Sequence, residues 1–353
     1  MERLRLGVIG CGAISACYLE NLTRRFTSQV DVVAVADIVP EAAQARAEEY
    51  GIGRACTPDE LLAADDVECV VNLTNAFAHY DVNLAALRAG KHVYTEKPLA
   101  VTAAEGRLLL AEAAMRGLSL GGAPDTFLGA GLQTCRKLID DGWLGQMTTC
   151  AAFFAFGIPT AKYHRRGAGA LFDLGVYYLT ALVSLLGPIE RVSGSYASPR
   201  VSENDPAEYE MPGVSCGTLD FACGVRGVIT ATALSFGYQP RLEIWGSEAN
   251  LICNDPNMFG GPVILQPKHK EPTTMPLSHG FDTNSRGLGI ADLACAIRLG
   301  RPARAGAELI FHVLEVMDGI HRSSDEGRHI AIESTCERPA PLAAGVTFPV
   351  LEA

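Results

Sequence analysis

What this chain lacks narrows its function before any motif is read. It has no block of basic residues, and its net charge is −11. That balance argues against a nucleic-acid partner. The longest apolar run, Leu174 to Gly187, is too short to span a bilayer and predicts a buried helix. Met1-Glu2-Arg3-Leu4-Arg5 leads directly into an apolar strand, without the architecture of a signal peptide. The eleven cysteines contain no Cys-x-x-Cys, which excludes a zinc ribbon and a thioredoxin motif. Cys69 and Cys253 lie in apolar runs and read as small core residues. No metal cluster is expected, because His312 and His321 are nine residues apart with no paired ligand at i and i+4. Both read as helix-surface or core residues. No internal repeat or low-complexity tract is present. The expectation is a reduced, cytoplasmic globular protein with no membrane, nucleic-acid or metal partner.

The 353 residues predict about two domains. Leu4-Arg5-Leu6-Gly7-Val8-Ile9 reads as a strand, and Gly10-Cys11-Gly12-Ala13-Ile14-Ser15 as a turn opening a helix. Gly10 permits the tight turn, Gly12 lets backbone approach a pyrophosphate, and Ser15 allows close helix–strand packing. The helix is expected over about Ala16 to Thr23, and its N-terminus offers N–H groups to an anion. A second strand, Val30 to Ala36, ends on Asp37, 22 residues past Ser15. Asp37 suits a ribose contact that favours NAD over NADP; its other reading is a cap for the helix starting at Pro40. No arginine follows Asp37 closely, which also leans towards NAD. Strand Val67–Leu73 ends in Thr74-Asn75, helix His79–Ala89 follows, and helix Thr102–Arg116 and strand Leu118–Gly121 complete the alternation. Strands alternating with helices predict a doubly wound parallel sheet.

Gly90-Lys91-His92-Val93-Tyr94-Thr95-Glu96-Lys97-Pro98-Leu99 is the stretch that matters most. A short strand runs into an acid, a base and a proline, at the carboxyl end where α/β sheets gather ligands. Proline bars helix at Lys97, holding the amine in place. Desolvation lowers a lysine pKa and a neighbouring carboxylate raises it, so Lys97 beside Glu96 suits proton traffic with a hydroxyl. Taken alone, the tripeptide is an ordinary charged turn.

With the Gly10/Gly12 turn, Asp37, Thr74-Asn75, His79 and the Glu96-Lys97-Pro98 segment in this order, the chain resembles the Gfo/Idh/MocA oxidoreductases. The resemblance implies a Rossmann domain, residues 1–121, and a substrate-binding and oligomerisation α/β domain, residues 122–353, built on a large open, mainly antiparallel sheet. It implies NAD or NADP as cofactor and sugars, cyclitols or related polyols as substrates. It places Lys97 near the nicotinamide and the reacting carbon, with a peptide bond to Pro98 that is often cis. Gly10, Gly12, Ala13, Ile14, Asp37, Thr74, Asn75, His79, Glu96 and Lys97 are the expected cofactor contacts. Thr74-Asn75-Ala76 departs from the Thr-Pro-Asn or Thr-Pro-Pro common in the family. Stacking of the open sheet implies a homodimer or homotetramer.

In the second domain, Asp125 is either a turn residue or a substrate contact. Asp173 and Gly175 match the family's Gly-Gly-Gly-x-Leu-x-Asp-x-Gly-x-His helix, and Tyr177 takes the histidine position, as in a branch resembling dihydrodiol and xylose dehydrogenases. Asp173 and Tyr177 share a helix face. A phenol near pKa ~10 is a poor base unless a cation lowers it. Lys97 and Tyr177 are therefore expected to share the substrate proton, with Asp173 orienting the substrate or Lys97. The alternative for Tyr177 is core packing. The run Lys162–Arg166 is a solvated loop or a lid, with His164 its candidate substrate contact. Strands are expected at Met147–Phe156, Arg191–Tyr196, Ser215–Ala222, Gly227–Leu234, Arg241–Gly246 and Ala249–Cys253. Val201–Gly213, Pro256–Gly261 and Pro267–Pro276 are expected loops, and Asn284-Ser285 is expected to cap a helix over Arg286–Gly300. The leading function is an NAD(P)-dependent dehydrogenase or reductase on a sugar, cyclitol, glycoside or diol. The alternatives are a redox-neutral, NAD-dependent glycoside-cleaving enzyme and a catalytically silent NAD-binding regulator.

Overall fold

The computed structural model describes residues 2–157, 169–198 and 212–346. The chain forms two compact units. One holds the residues up to Asp125 together with Ser285–Phe311; the other holds Thr126–Asn284 and His312–Gly345. The halves 1–121 and 122–353 expected from the sequence are continuous, whereas Ser285–Phe311 groups with the first unit.

The first unit is built on β1 (Leu4–Ile9), β2 (Val30–Ala36), β3 (Ala55–Cys56), β4 (Cys69–Asn72), β5 (His92–Thr95) and β6 (Leu120–Gly122), in the order β3-β2-β1-β4-β5-β6. Every neighbouring pair is parallel. Because helices cover both faces of such a sheet, its strands read as near-continuous apolar runs; all four residues of β4 are buried. The helices are α1 (Ala13–Arg24), α2 (Pro40–Tyr50), α3 (Pro58–Ala63), α4 (His79–Arg88) and α5 (Ala103–Arg116). Thr57 and Thr102 close capping boxes with Glu60 and Glu105, and α5 stops on left-handed Gly117. Strand order reverses between β1 and β4, the switch point where doubly wound sheets bind ligands.

The second unit carries a nine-stranded sheet. Its strands are β7 (Met147–Gly157), β8 (Ile189–Ala197), β9 (Val214–Phe221), β10 (Arg226–Thr232), β11 (Leu234–Gly246), β12 (Ala249–Ile252), β13 (Val263–Pro267), β14 (Thr273–Met275) and β15 (Ile330–Ala331). Their order is β14-β13-β12-β11-β7-β10-β9-β8-β15. Only β7 and β10 pair in parallel; the rest are antiparallel. Two helices, α6 (Ala130–Asp140) and α7 (Val176–Leu186), belong to the same unit. Every residue of α7 is buried, as expected of a helix that is apolar all round. One correction concerns Pro267–Pro276, read as a loop: Thr273–Met275 within it pairs with β13. Three residues at a sheet edge are too few to show a period of two.

After β14 come α8 (Leu288–Leu299) and α9 (Ala307–Glu326), followed by β15. On α9, His312 is fully buried. Its Nε2 accepts the Ile189 N–H at 3.0 Å and its Nδ1 lies 2.9 Å from Ser334 Oγ. It is a satisfied core histidine.

The N-cap of α8 is Gly287, with a φ of 101°, not Asn284-Ser285. The cap comes from elsewhere in the first unit. Asp125 Oδ2 accepts the N–H groups of Gly287 at 2.9 Å and Gly289 at 3.0 Å. Gly289 must be glycine, since an added Cβ would stand 2.4 Å from Tyr94 Oη and 2.9 Å from Asp125 Cβ. Burial pushes the Asp125 carboxyl up to about 6, against the opposing pull of the two N–H groups and Arg286.

The folded state thus binds the Asp125 proton more tightly than the unfolded chain, so stability falls as pH rises from about 4 through about 6. Asp125→Asn keeps an oxygen acceptor without the charge. It should flatten that fall, a contribution of up to about 3 kcal/mol, when denaturant unfolding is followed between pH 4 and 7. A slope identical to the parent's would show that Asp125 does not carry it.

Candidate active site

At the first turn of the Rossmann sheet, Gly10 adopts a φ of 103°. A Cβ there would stand 2.6 Å from the Leu73 backbone, so only glycine fits. Gly12 is the N-cap of α1, and the helix has neither a side-chain cap nor an acid in its first turn. Gly12, Ala13 and Ile14 are exposed, and nothing stands within 4 Å of where a Gly12 Cβ would be. This helix start is a bare anion seat. Ser15 is fully buried and donates to the Gly12 carbonyl at 2.6 Å.

Asp37 sits at the end of β2. Its Oδ2 accepts the Cys11 N–H at 2.7 Å and its Oδ1 the Val39 N–H at 2.9 Å. Each oxygen keeps a lone pair for a further donor. The N-cap of α2 is Val39, so Asp37 braces the glycine turn and does not cap that helix itself. Burial, with Asp37 adding to it, pushes the Cys11 thiol up to about 11, so it stays protonated. A cavity of about 550 Å³ is lined by Asp37, Pro40, Gln44, Cys56 and Thr57 among others; it does not include the Lys97 segment. These residues fit a dinucleotide: N–H donors for its pyrophosphate and a carboxylate for its ribose.

One residue escaped the sequence reading at this turn. Arg46, on the second turn of α2, places Nε 3.1 Å from Ser15 Oγ and Nη2 3.3 Å from the Gly12 carbonyl. A search for arginine close behind Asp37 in sequence misses a residue that helix geometry brings back.

Where β4 and β5 end, a buried polar network forms. Asn72, His79 and Asn83 are each at most 1% exposed. Asn72 Oδ1 accepts the Thr74 N–H and hydroxyl at 3.1 and 2.7 Å, and Asn72 Nδ2 donates to Asn83 Oδ1 at 2.8 Å. His79 stands between two carbonyls, with Nδ1 2.6 Å from Pro98 O and Nε2 3.1 Å from Thr74 O. Burial lowers its pKa. A neutral imidazole donates from only one nitrogen, and the shorter distance assigns that proton to Nδ1. His79 therefore ties the start of α4 to the Pro98 carbonyl. Asn75 Oδ1 accepts the Phe77 N–H at 3.2 Å and is exposed.

Lys97 is half-buried, and its bond to Pro98 is cis. Glu96 is 7% exposed; its Oε2 accepts the Lys97 N–H at 3.1 Å and its Oε1 the Tyr18 hydroxyl at 2.5 Å. Tyr18 also went unread, since nothing local in α1 marks a residue destined for a carboxylate 78 positions away.

In the second unit, Asp173 lies in a π-helical turn, Leu171–Gly175, that feeds α7. Such turns are frequent at functional sites. Asp173 is half-buried and Tyr177 is 6% exposed. Tyr178 is buried too. Its ring stacks on Phe154 with centroids 5.2 Å apart, and its hydroxyl lies 3.5 Å from Asp255, which also accepts from Tyr238 at 2.5 Å. Burial, reinforced by Asp255, drives the Tyr178 phenol far above its ordinary value. His164 and the rest of Lys162–Arg166 lie outside the described residues. Among the described residues, no group of three or more histidine, cysteine, aspartate or glutamate side chains is arranged to hold a metal, and no helix is long and apolar enough to cross a membrane.

A six-stranded Rossmann sheet with a bare glycine turn, an acid closing its second strand and a lysine at the end of its fifth defines a dinucleotide-dependent oxidoreductase. Residues 4–121 match the oxidoreductase family with an NAD-binding Rossmann fold, and residues 132–252 match the Gfo/Idh/MocA C-terminal domain. The chain belongs to the Gfo/Idh/MocA family. It is 35% identical over 260 residues to a dTDP-3,4-didehydro-2,6-dideoxy-alpha-D-glucose 3-reductase of Streptomyces violaceoruber, covering 72% of this chain and 73% of that one. It is 26% identical over 338 residues to an inositol 2-dehydrogenase of Rhizobium meliloti, covering 93% and 99%. The fold is shared with levoglucosan dehydrogenase in complex with NADH, at a TM-score of 0.83 and 16% identity over 94% of this chain and all of that one.

His79→Leu removes the donor to a buried carbonyl while keeping side-chain bulk. It should destabilise the protein by about 1–3 kcal/mol, read from the urea midpoint at unchanged slope. An unaltered midpoint would show that the Pro98 carbonyl does not depend on His79.

Proposed function

We propose that this enzyme transfers hydride between a nicotinamide and a CH–OH carbon of a sugar, cyclitol, glycoside or diol, with Lys97 and Tyr177 handling the proton. The observation that carries this reading is Lys97 itself: a half-buried residue whose backbone N–H is anchored to the Glu96 carboxylate, at the sheet end that also presents the glycine turn. Bound NAD supplies the hydride acceptor or donor. Gly12, Ala13 and Ile14 seat its pyrophosphate with N–H groups, and Asp37 accepts from the adenosine ribose and repels a 2′-phosphate. Thr74, Asn75, His79 and Glu96 shape the remaining cofactor contacts, His79 and Glu96 by holding the Lys97-Pro98 segment.

Of the two adjacent tyrosines, Tyr178 is committed to Phe154 and Asp255, and its raised pKa unfits it for a base. That supports Tyr177 as the residue that takes the substrate proton. Lys97 supplies the cation that a phenol near ~10 needs at neutral pH. Asp173, four residues before Tyr177, orients the substrate or Lys97. Asp125 is spent on capping α8, which favours its structural reading. His164 stays a candidate substrate contact, and a homodimer or homotetramer the expected assembly.

The test is absorbance at 340 nm with NAD and then NADP against aldoses, inositols, anhydrosugars, glycosides and vicinal diols. NADH should form with one of these classes, and a strong preference for NADP would overturn the role given to Asp37. Release of an aglycone without net NADH would instead identify the redox-neutral chemistry, and bound NAD without turnover a regulator. With the active class in hand, Tyr177→Phe should cut kcat by about 100-fold or more, the usual scale for a lost acid–base group, with NADH affinity retained. Undiminished turnover would sink the assignment.

A further inference from the structure

The contact that the proposed chemistry leaves unexplained is the one between Tyr18 and Glu96. Tyr18 is fully buried in the second turn of α1, the helix whose first turn forms the anion seat. Its hydroxyl donates to Glu96 Oε1 at 2.5 Å, and Glu96 Oε2 accepts the Lys97 N–H at 3.1 Å. Both carboxylate oxygens are thus held, each by a different donor. Burial, with Glu96 and Asp125 next in effect, keeps the Tyr18 phenol well above its ordinary pKa, so this residue stays a donor throughout the working range.

A buried carboxylate is expensive unless hydrogen-bonded. Without Tyr18, Glu96 Oε1 would lose its donor and turn towards another, which moves the carboxylate charge relative to Lys97. A negative charge close to an amine favours the ammonium form. Other ionisable groups surround this pair. His79 on α4 feels both Glu96 and Lys97. Asp125, after β6, faces Glu96 and Arg286. Tyr94 on β5 faces Tyr18.

We infer that Tyr18 and Glu96 are positioning residues for Lys97: the helix that seats the dinucleotide also fixes the carboxylate that anchors the Lys97 backbone and sets the charge its amine meets. The inference rests on the proton-handling reading of Lys97. It adds that Tyr18 acts only through Glu96.

Competitive acetic anhydride labelling, read by peptide mass spectrometry in the presence of NADH, titrates Lys97 without any substrate. Glu96→Gln should lower the Lys97 midpoint by about one pH unit. Tyr18→Phe, which deletes one hydroxyl and keeps the ring, should lower it by less. The double variant should match Glu96→Gln alone, because coupled partners are not additive. NADH affinity, from fluorescence titration, should stay within about twofold in Tyr18→Phe, showing that the cofactor fold survives, and all labelling is done at saturating NADH. An unmoved midpoint in Glu96→Gln, or a Tyr18→Phe shift undiminished in the Glu96→Gln background, would overturn the inference. Lys97→Met separates the two levels. If it retains turnover, the catalytic reading of Lys97 falls, whatever the labelling says; if it abolishes turnover while the labelling midpoints stay fixed, only the positioning inference falls.

Discussion

A parallel sheet covered on both faces must settle the polar groups at its strand ends from within. At the ends of β4 and β5 Asn72, His79 and Asn83, each at most 1% exposed, meet that demand. Each unmet buried polar group would cost about 1–3 kcal/mol, so the loops carrying Thr74 and Lys97 are held by groups that have nowhere else to bond. Lys97 inherits its place from that constraint. Its backbone is tied to Glu96, Glu96 to Tyr18, and Pro98 to His79. A functional amine needs such support, because a side chain with many rotamers is otherwise poorly placed.

The glycine turn follows the opposite logic. Its donors are left exposed, with no side-chain cap and no acid in the first turn, while everything behind them is fixed. Ser15 and Arg46 hold the Gly12 carbonyl, and Asp37 holds the Cys11 N–H. A guanidinium this close to a helix N-terminus opposes the helix dipole. Glu49, 2.5 Å from Arg46, offsets part of that cost, and an anion on the helix start would offset more. The turn is thus electrostatically prepared for a phosphate.

Much of the first unit was legible because its rules are local. The apolar runs of β1 and β2 and the glycine turn between β1 and its helix need only a few neighbouring residues to be read. The Glu96-Lys97-Pro98 segment was legible for the same reason, as a strand running into charge and proline. Tyr18, Arg46 and Asn83 were not, because their roles depend on partners up to 78 residues away. A pattern of burial alone marks Tyr18 and Asn83 as core. The edge strand Thr273–Met275 was missed because polar residues at the rim of a sheet carry no alternation.

The cap of α8 shows where local reasoning gives way. Asn284-Ser285 before an apolar run is a sound helix-start signal, yet the helix begins three residues later on a left-handed glycine, with a carboxylate 162 residues distant in sequence supplying the acceptor. Asp125 can do this because Gly289 lets Tyr94 and Asp125 approach the helix as closely as they do. The same burial that holds it against α8 raises its pKa to about 6, so ionising it as the pH rises costs stability. A buried aspartate with a shifted pKa that feels the Glu96 carboxylate invites a catalytic reading. The two N–H bonds account for its position without one, and they argue that a perturbed pKa at a crowded sheet end can record the cost of joining distant segments as readily as chemistry.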